Sequence, residues 1–218
     1  MNIDSPLRHP WVATALLAWT IGVFDTSTYL EFGVFTSNQA GNLVVAATEI
    51  FREPAAAALP LISLGGAIVG AVMGNILGRR YPDVDDRAVT APLAAAMVLL
   101  LVTAALDLLA VQDWAVISVA AAALACLAVA VIRAPAVGMW LTANTGQLLS
   151  AVQGLAELRS LGWRGLPPIA RVSIIAMLGF CLGAAAVGSG LLSDNAIVLA
   201  VGPAVVGLWL GAASLRRR

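Results

Sequence analysis

Apolar and polar positions divide the chain into eight stretches free of Asp, Glu, Lys and Arg. They are Trp11–Phe24, Phe32–Thr48, Pro54–Gly78 and Ala88–Leu106, then Trp114–Ile132, Ala134–Ala156, Val172–Ser193 and Asn195–Leu215. In order they are segments a, b, c, d and a′, b′, c′, d′. A membrane-crossing helix needs about 20 predominantly apolar residues. Segments c, d, a′, c′ and d′ meet that length, and a meets it by continuing past Asp25. Segments b and b′ differ. Each opens on a polar run, Thr36-Ser37-Asn38-Gln39-Ala40-Gly41-Asn42 and Thr142-Ala143-Asn144-Thr145-Gly146-Gln147. Only short apolar stretches follow, Leu43–Ala47 and Leu148–Val152.

The two polar runs are copies of one motif. Gly33–Leu43 aligns without gaps on Gly138–Leu148, with Gly33/Gly138, Gly41/Gly146 and Leu43/Leu148 identical. Phe35/Trp140, Ser37/Thr142 and Asn42/Gln147 are conservative pairs. Trp11 and Trp114 open a and a′, and c and c′ are both glycine-rich. The chain therefore reads as one membrane domain over residues 1–218, with a first repeat over 11–110 and a second over 114–215.

Arginine placement decides between two topologies, because short cytoplasmic loops collect basic residues. With b and b′ spanning, Arg79, Arg80, Arg87 and Arg133 fall outside, and the bias is weak. With b and b′ entering the membrane and returning to the same side, every arginine except Arg52 falls inside. The second topology is the expectation: an all-α membrane protein with six transmembrane helices and two re-entrant half-helices. Three spans per half place the halves in opposite orientations, a 3+3 inverted repeat with both termini cytoplasmic. Transporters built this way carry their sites near the midplane where the repeats meet.

Composition agrees. Hydrophobic residues make up 61% of the 218, and charged residues only 11%, against about 25% in soluble domains. Mean hydropathy is +0.94. Net charge is zero and every cation is Arg, so no basic field points to nucleic acid. Cys126 and Cys181 sit in apolar stretches and suit packing rather than a disulfide or metal. No nucleophile–base set, metal-ligand cluster or nucleotide fingerprint occurs, so the reading is a non-enzyme without cofactor or metal.

Candidate chemistry lies in the duplicated motif and beside it. Thr36, Ser37, Asn38, Gln39 and Asn42, with Thr142, Asn144, Thr145 and Gln147, offer hydroxyl and amide groups that can replace a solute's hydration shell or cap a half-helix. Thr36–Gln39 and Asn144–Gln147 have the spacing of a capping box. Gly41 and Gly146 allow close backbone approach. Helix N-termini aimed at the membrane interior favour neutral polar or anionic solutes. Asn38, Asn42, Asn144 and Gln147 are expected to face one another, or a shared cavity. Asp25 lies about 21 Å along its helix from Trp11 at the usual rise. An ionisable group at that depth points to function, with Thr26, Ser27 and Thr28 as neighbours that share a cation or proton; capping of a helix end is the competing role. Asp107, Asp113, Glu31 and Glu49 read as a solvated outer rim. Gly66, Gly70, Gly74 and Gly78 recur every four residues, as do Gly179 and Gly183. Such stripes pack helices closely, against the same chain or a second copy.

Gly22-Val23-Phe24-Asp25 followed by Gly33–Asn42 resembles the YoaK-like bacterial membrane proteins. That family shows a Gly-x-x-Asp step and then a Phe-Thr-x-x-x-Thr-Gly-Asn run; Ala40 stands here where the family has Thr. Thr142–Gln147 resembles the family's second Thr-Gly motif, with Thr145 kept. The resemblance covers nearly the whole chain and implies a bacterial inner-membrane protein, without implying an activity. The leading function is a transporter or channel for a small polar or anionic solute in the lipid bilayer. The alternative is a non-transporting assembly or accessory subunit.

Overall fold

A computed structural model describes residues 10–80, 87–133, 145–192 and 197. Among the described residues the chain is wholly helical, with seven helices. They are α1 (Pro10–Phe32), α2 (Gln39–Arg52), α3 (Ala58–Arg79), α4 (Arg87–Leu108), α5 (Asp113–Arg133), α6 (Thr145–Gly165) and α7 (Pro168–Gly188). In lipid every backbone polar group has to be satisfied within the protein, and a long apolar run does this only as a helix. Segments c, d, a′ and c′ accordingly became α3, α4, α5 and α7, the four described helices long and apolar enough to cross a membrane. Segment a runs on through Asp25, as expected, but its second half is polar. Segment d′ lies outside the described residues.

The two segments that begin with polar runs differ from each other. The helix α2 has 14 residues, about 21 Å of length, too short for a hydrocarbon core of about 30 Å. Its partner in the sequence, α6, has 21 residues and a break at Gly162, where φ is +63° and ψ 166°.

The core centres on α5. Ile117, Ala120, Ala121, Ala123, Cys126, Leu127 and Ala130 are fully buried. Helices α3 and α4 pack on its flanks, and α1 packs on α7. Leu17, Ile21 and Phe24 of α1 join Leu93, Ala96 and Leu100 of α4 in the same cluster as the α5 side chains. Cys126 donates its S–H to the Pro92 carbonyl at 3.3 Å, and Cys181 is exposed.

Glycine sets the closest helix contacts. A methyl group on Gly66 would collide with the Ser118 carbonyl oxygen, and one on Gly70 with that of Ala122. On Gly74 it would stand 3.1 Å from Val129 Cβ and 3.2 Å from Cys126 Sγ. These contacts advance together along α3 and α5, so the two helices run parallel. The second seam has the same form. Gly179 faces the Ala15 carbonyl oxygen, 2.7 Å from where a Cβ would stand, and Gly183 faces that of Trp19. Helices α7 and α1 therefore also run parallel, with Gly22 of α1 closing against the Phe180 carbonyl. The shift in numbering that carries Trp11 to Trp114 also carries Ala15 to Ser118 and Trp19 to Ala122. One further shift carries Gly66 to Gly179 and Gly70 to Gly183. Gly66, Gly70, Gly74 and Gly78 are all buried. The stripe that offered a face to a second copy of the chain is used inside this one.

Candidate functional site

The polar run between α1 and α2 is held from two sides. Helix α1 ends at Phe32, and Gly33 follows in the left-handed region with φ +70°. Its N–H reaches the Tyr29 carbonyl at 2.9 Å, as in an αL helix stop, and the Val34 N–H reaches the Thr28 carbonyl at 3.4 Å. The chain then turns back along α1 instead of leaving it. Phe35 stacks on Tyr29, with ring centroids 4.7 Å apart and an interplanar angle of 13°. Its other edge lies against Gly41, where a Cβ would stand 3.0 Å from the ring. Gly41 is thus the position that lets the ring in.

Asp25 receives the turned-back segment. Its Oδ1 accepts from the Thr36 N–H at 2.9 Å, the Thr36 hydroxyl at 3.1 Å and the Ser37 N–H at 2.7 Å. Its Oδ2 accepts from the Ser37 hydroxyl. Asp25 is 3% exposed, and among the described residues no cation pairs with it. Four donors around one carboxyl, all from two consecutive residues, form a neutral cradle for a charge. Asp25 therefore does not cap its own helix end; it fixes the loop that enters α2. Of the neighbours expected to share the site, Thr28 reaches Asp25 only at its backbone carbonyl, at 3.5 Å. Thr28 donates to the Phe24 carbonyl at 2.9 Å, and Ser27 Oγ is buried without a partner.

The other side is an amide knot. The fully buried Asn42 accepts from the Phe35 N–H at 2.9 Å through Oδ1. Its Nδ2 donates to the Phe35 carbonyl at 2.6 Å, to Gln39 Oε1 at 3.1 Å and to Ser63 Oγ at 3.0 Å. The Ser63 hydroxyl donates to the same Phe35 carbonyl at 2.8 Å. Gln39 Nε2 donates to the Thr36 carbonyl at 2.9 Å and to Ser63 Oγ at 3.3 Å. Helix α2 starts at Gln39, and its N-cap is Asn38, whose Oδ1 accepts from the Gly41 N–H at 3.1 Å. The Thr36–Gln39 capping box is not formed, because Thr36 is committed to Asp25 and Gln39 reaches a carbonyl.

Asp25, Thr36, Ser37, Gln39, Gly41 and Asn42 thus come together, with Asn38 at the exposed edge. Asn38 caps α2, and the Asn42 amide is satisfied by Phe35, Gln39 and Ser63. In the second copy, Thr145, Gly146 and Gln147 form the first turn of α6. Thr142 and Asn144, and the facing of the two motifs, lie outside the described residues. Ser63 was missed in the sequence. Its signal was weak, a single hydroxyl between Ile62 and Leu64 in an apolar helix. Ser63→Ala should lower stability by about 1 kcal/mol, the net worth of a typical hydrogen bond. Asn42→Leu should lower it by about 1–3 kcal/mol or more, because the Phe35 N–H loses its partner in a buried position. Thermal unfolding in mild detergent reads both.

Thr36, Ser37 and Gln39 form the polar end of a cleft of about 350 Å³. Its walls are apolar: Ile21 from α1, Leu64, Ala67, Ile68 and Ala71 from α3, and Leu124, Ala125, Ala128, Val129 and Ile132 among the residues from α5. Among the described residues no group of three or more metal-ligating side chains converges.

A bundle of apolar helices around a buried carboxyl held by neutral donors defines a membrane-type helical protein with an internal polar site. The chain belongs to the family described as "Protein of unknown function (DUF1275)", whose pattern it matches over residues 13–212. That membership agrees with the resemblance read from the Gly-x-x-Asp step and the Thr-Gly motif. No curated protein and no solved structure shows significant similarity to it.

Proposed function

We propose that this protein is a multi-pass transporter or channel of the bacterial inner membrane, moving a small polar solute past the Asp25 loop. The observation that carries the reading is the Asp25 cradle. A carboxyl with four neutral donors and, among the described residues, no cation, next to a cleft, is costly to keep inside a membrane protein and marks a solute or ion path by default. The glycine stripe that suggested an assembly face packs on α5, which weakens the accessory-subunit reading.

The proposed architecture is the inverted repeat. It is supported by reciprocity: α3 on α5 has its counterpart in α7 on α1, and α2 on α3 in α6 on α7. Equivalent glycines meet equivalent carbonyls in the two seams. The re-entrant reading of b is supported by the order of contacts. Through the loop, Asp25 is tied to Ser63. One turn before Asp25, Ile21 shares the cleft with Ala67 and Ile68, one turn after Ser63. That is the order of two helices running in opposite senses, as re-entrance of α2 requires.

Flux into reconstituted vesicles, over a panel of anions, neutral metabolites, amines and protons, tests the function. Uptake of at least one class, changed in rate by Asp25→Asn, is the expected result; no flux for any class would overturn transport. Topology has its own test. In a Cys181→Ser background, an impermeant thiol reagent should label Glu53→Cys in intact cells and spare Arg80→Cys and Ser160→Cys. Labelling of Arg80→Cys with protection of Glu53→Cys would overturn the re-entrant arrangement.

A further inference from the structure

We infer that the cleft beneath the Thr36–Gln39 turn binds a hydrogen-bond-donating solute with a compact apolar body, a small organic ammonium ion above all, and rejects organic anions. The inference deepens the transport reading and rests on it for the path, though not for the binding.

The argument is a count of donors. The Thr36 hydroxyl and the Ser37 hydroxyl both donate to Asp25. Gln39 Nε2 donates to the Thr36 carbonyl and to Ser63 Oγ. The side-chain donors at the polar end are therefore spent inside the protein. Hydroxyl and amide oxygens carry two lone pairs each. What Thr36 Oγ1, Ser37 Oγ and Gln39 Oε1 have left is accepting capacity. The end of the cleft is an acceptor surface with a carboxyl one layer behind it. Among the described residues no basic side chain lines the cleft.

Charge then ranks the occupants. An anion brings acceptors to acceptors and a negative charge toward Asp25, with nothing to replace its water, and burying it unpaired is prohibitive. A neutral alcohol can donate one hydrogen bond. An ammonium or hydroxyalkylammonium ion gains in addition the attraction of a carboxyl in surroundings of low dielectric. The walls choose the body. Ile21, Leu64, Ala67, Leu124, Ala128 and Val129 present hydrocarbon, so a methylated or branched group fits where a hydrated ion does not. A cleft of about 350 Å³ lies at the small end of ligand sites. The loop motif alone suggested an anion attracted to a helix N-terminus; the spent donors and Asp25 reverse that preference.

Three probes of one shape separate charge from size: choline, its uncharged isostere 3,3-dimethylbutan-1-ol, and 3,3-dimethylbutanoate. Binding to the full chain in nanodiscs is measured by calorimetry and by ligand-observed NMR, independently of flux. Choline should bind, the alcohol should compete more weakly, and the carboxylate should not compete. Ala128→Leu, which fills the cleft, should abolish choline binding, while Gly65→Ala, facing open space, should leave it unchanged. Asp25→Asn keeps the shape of the cradle and should weaken choline at least about tenfold, with the alcohol unaffected. Equal or tighter binding of the carboxylate, no binding of any probe, or choline affinity unmoved by both Ala128→Leu and Asp25→Asn would each overturn the inference. Choline binding without flux of any solute would leave the binding class standing and overturn transport instead.

Discussion

Asp25→Ala is expected to unfold the α1–α2 turn and to abolish function, while Asp25→Asn keeps the fold. In the alanine variant the Thr36 and Ser37 N–H groups lose their acceptor in a buried position, and two hydroxyls lose theirs. A buried donor left unpaired costs about 1–3 kcal/mol, so two backbone donors alone imply a loss of about 2–6 kcal/mol. That is a large part of the stability of a typical domain. Asparagine retains Oδ1 as the acceptor for both N–H groups, and its Nδ2 can donate to Ser37 Oγ, whose lone pairs accept. Its loss should stay within about 1.5 kcal/mol. Thermal unfolding of both variants in the same detergent, together with proteolysis at the 33–38 loop, makes the comparison. Equal stability of Asp25→Ala and the parent would contradict the cradle.

Gly70→Ala and Gly183→Ala should damage the molecule to a similar degree, although they lie far apart in the sequence. Each added methyl meets a backbone carbonyl, of Ala122 or of Trp19. A carbonyl in a helix cannot swing aside as a flexible side chain does, so the helices must separate. Overpacking of this kind costs about 1–3 kcal/mol. Gly66→Ala and Gly179→Ala form the second matched pair, and Gly65→Ala is the neutral control. The measurement is the fall in unfolding midpoint for each member of a pair. A harmless Gly183→Ala beside a severe Gly70→Ala would remove the equivalence of the two seams.

The apolar helices were legible because lipid leaves the backbone no other choice. Segment c, Pro54–Gly78, became α3 over Ala58–Arg79, and a′, Trp114–Ile132, became α5 over Asp113–Arg133. The ends were read less well where charge was taken as a stop. Helix α2 runs through Glu49 to Arg52, since a surface helix end tolerates both; Arg52 and Glu49 lie 3.8 Å apart. In the site, Asp25, Thr36 and Ser37 could be singled out as polar groups at depth, but not joined. Their contact spans eleven or twelve residues and depends on the left-handed turn at Gly33. The direction of the Asn42 amide was likewise hidden, because its main partner across the fold, Ser63, looks like any isolated serine in a membrane helix. Glycine spacing announced close packing along α3, and the choice of α5 as partner is a property of the assembled bundle.

The seam between α1 and α7 has a consequence for how the chain is made. The stretch around Ala15, Trp19 and Gly22 leaves the ribosome long before the glycines it receives, Gly179 and Gly183. Until α7 is inserted, the carbonyl face of α1 has no glycine to close on. The polar Thr36–Gln39 loop is available to Asp25 as soon as α2 emerges and to Ser63 soon after. Local knotting of the loop therefore precedes closure of the α1–α7 seam, and α1 waits, already carrying its bound loop, for α7 to arrive.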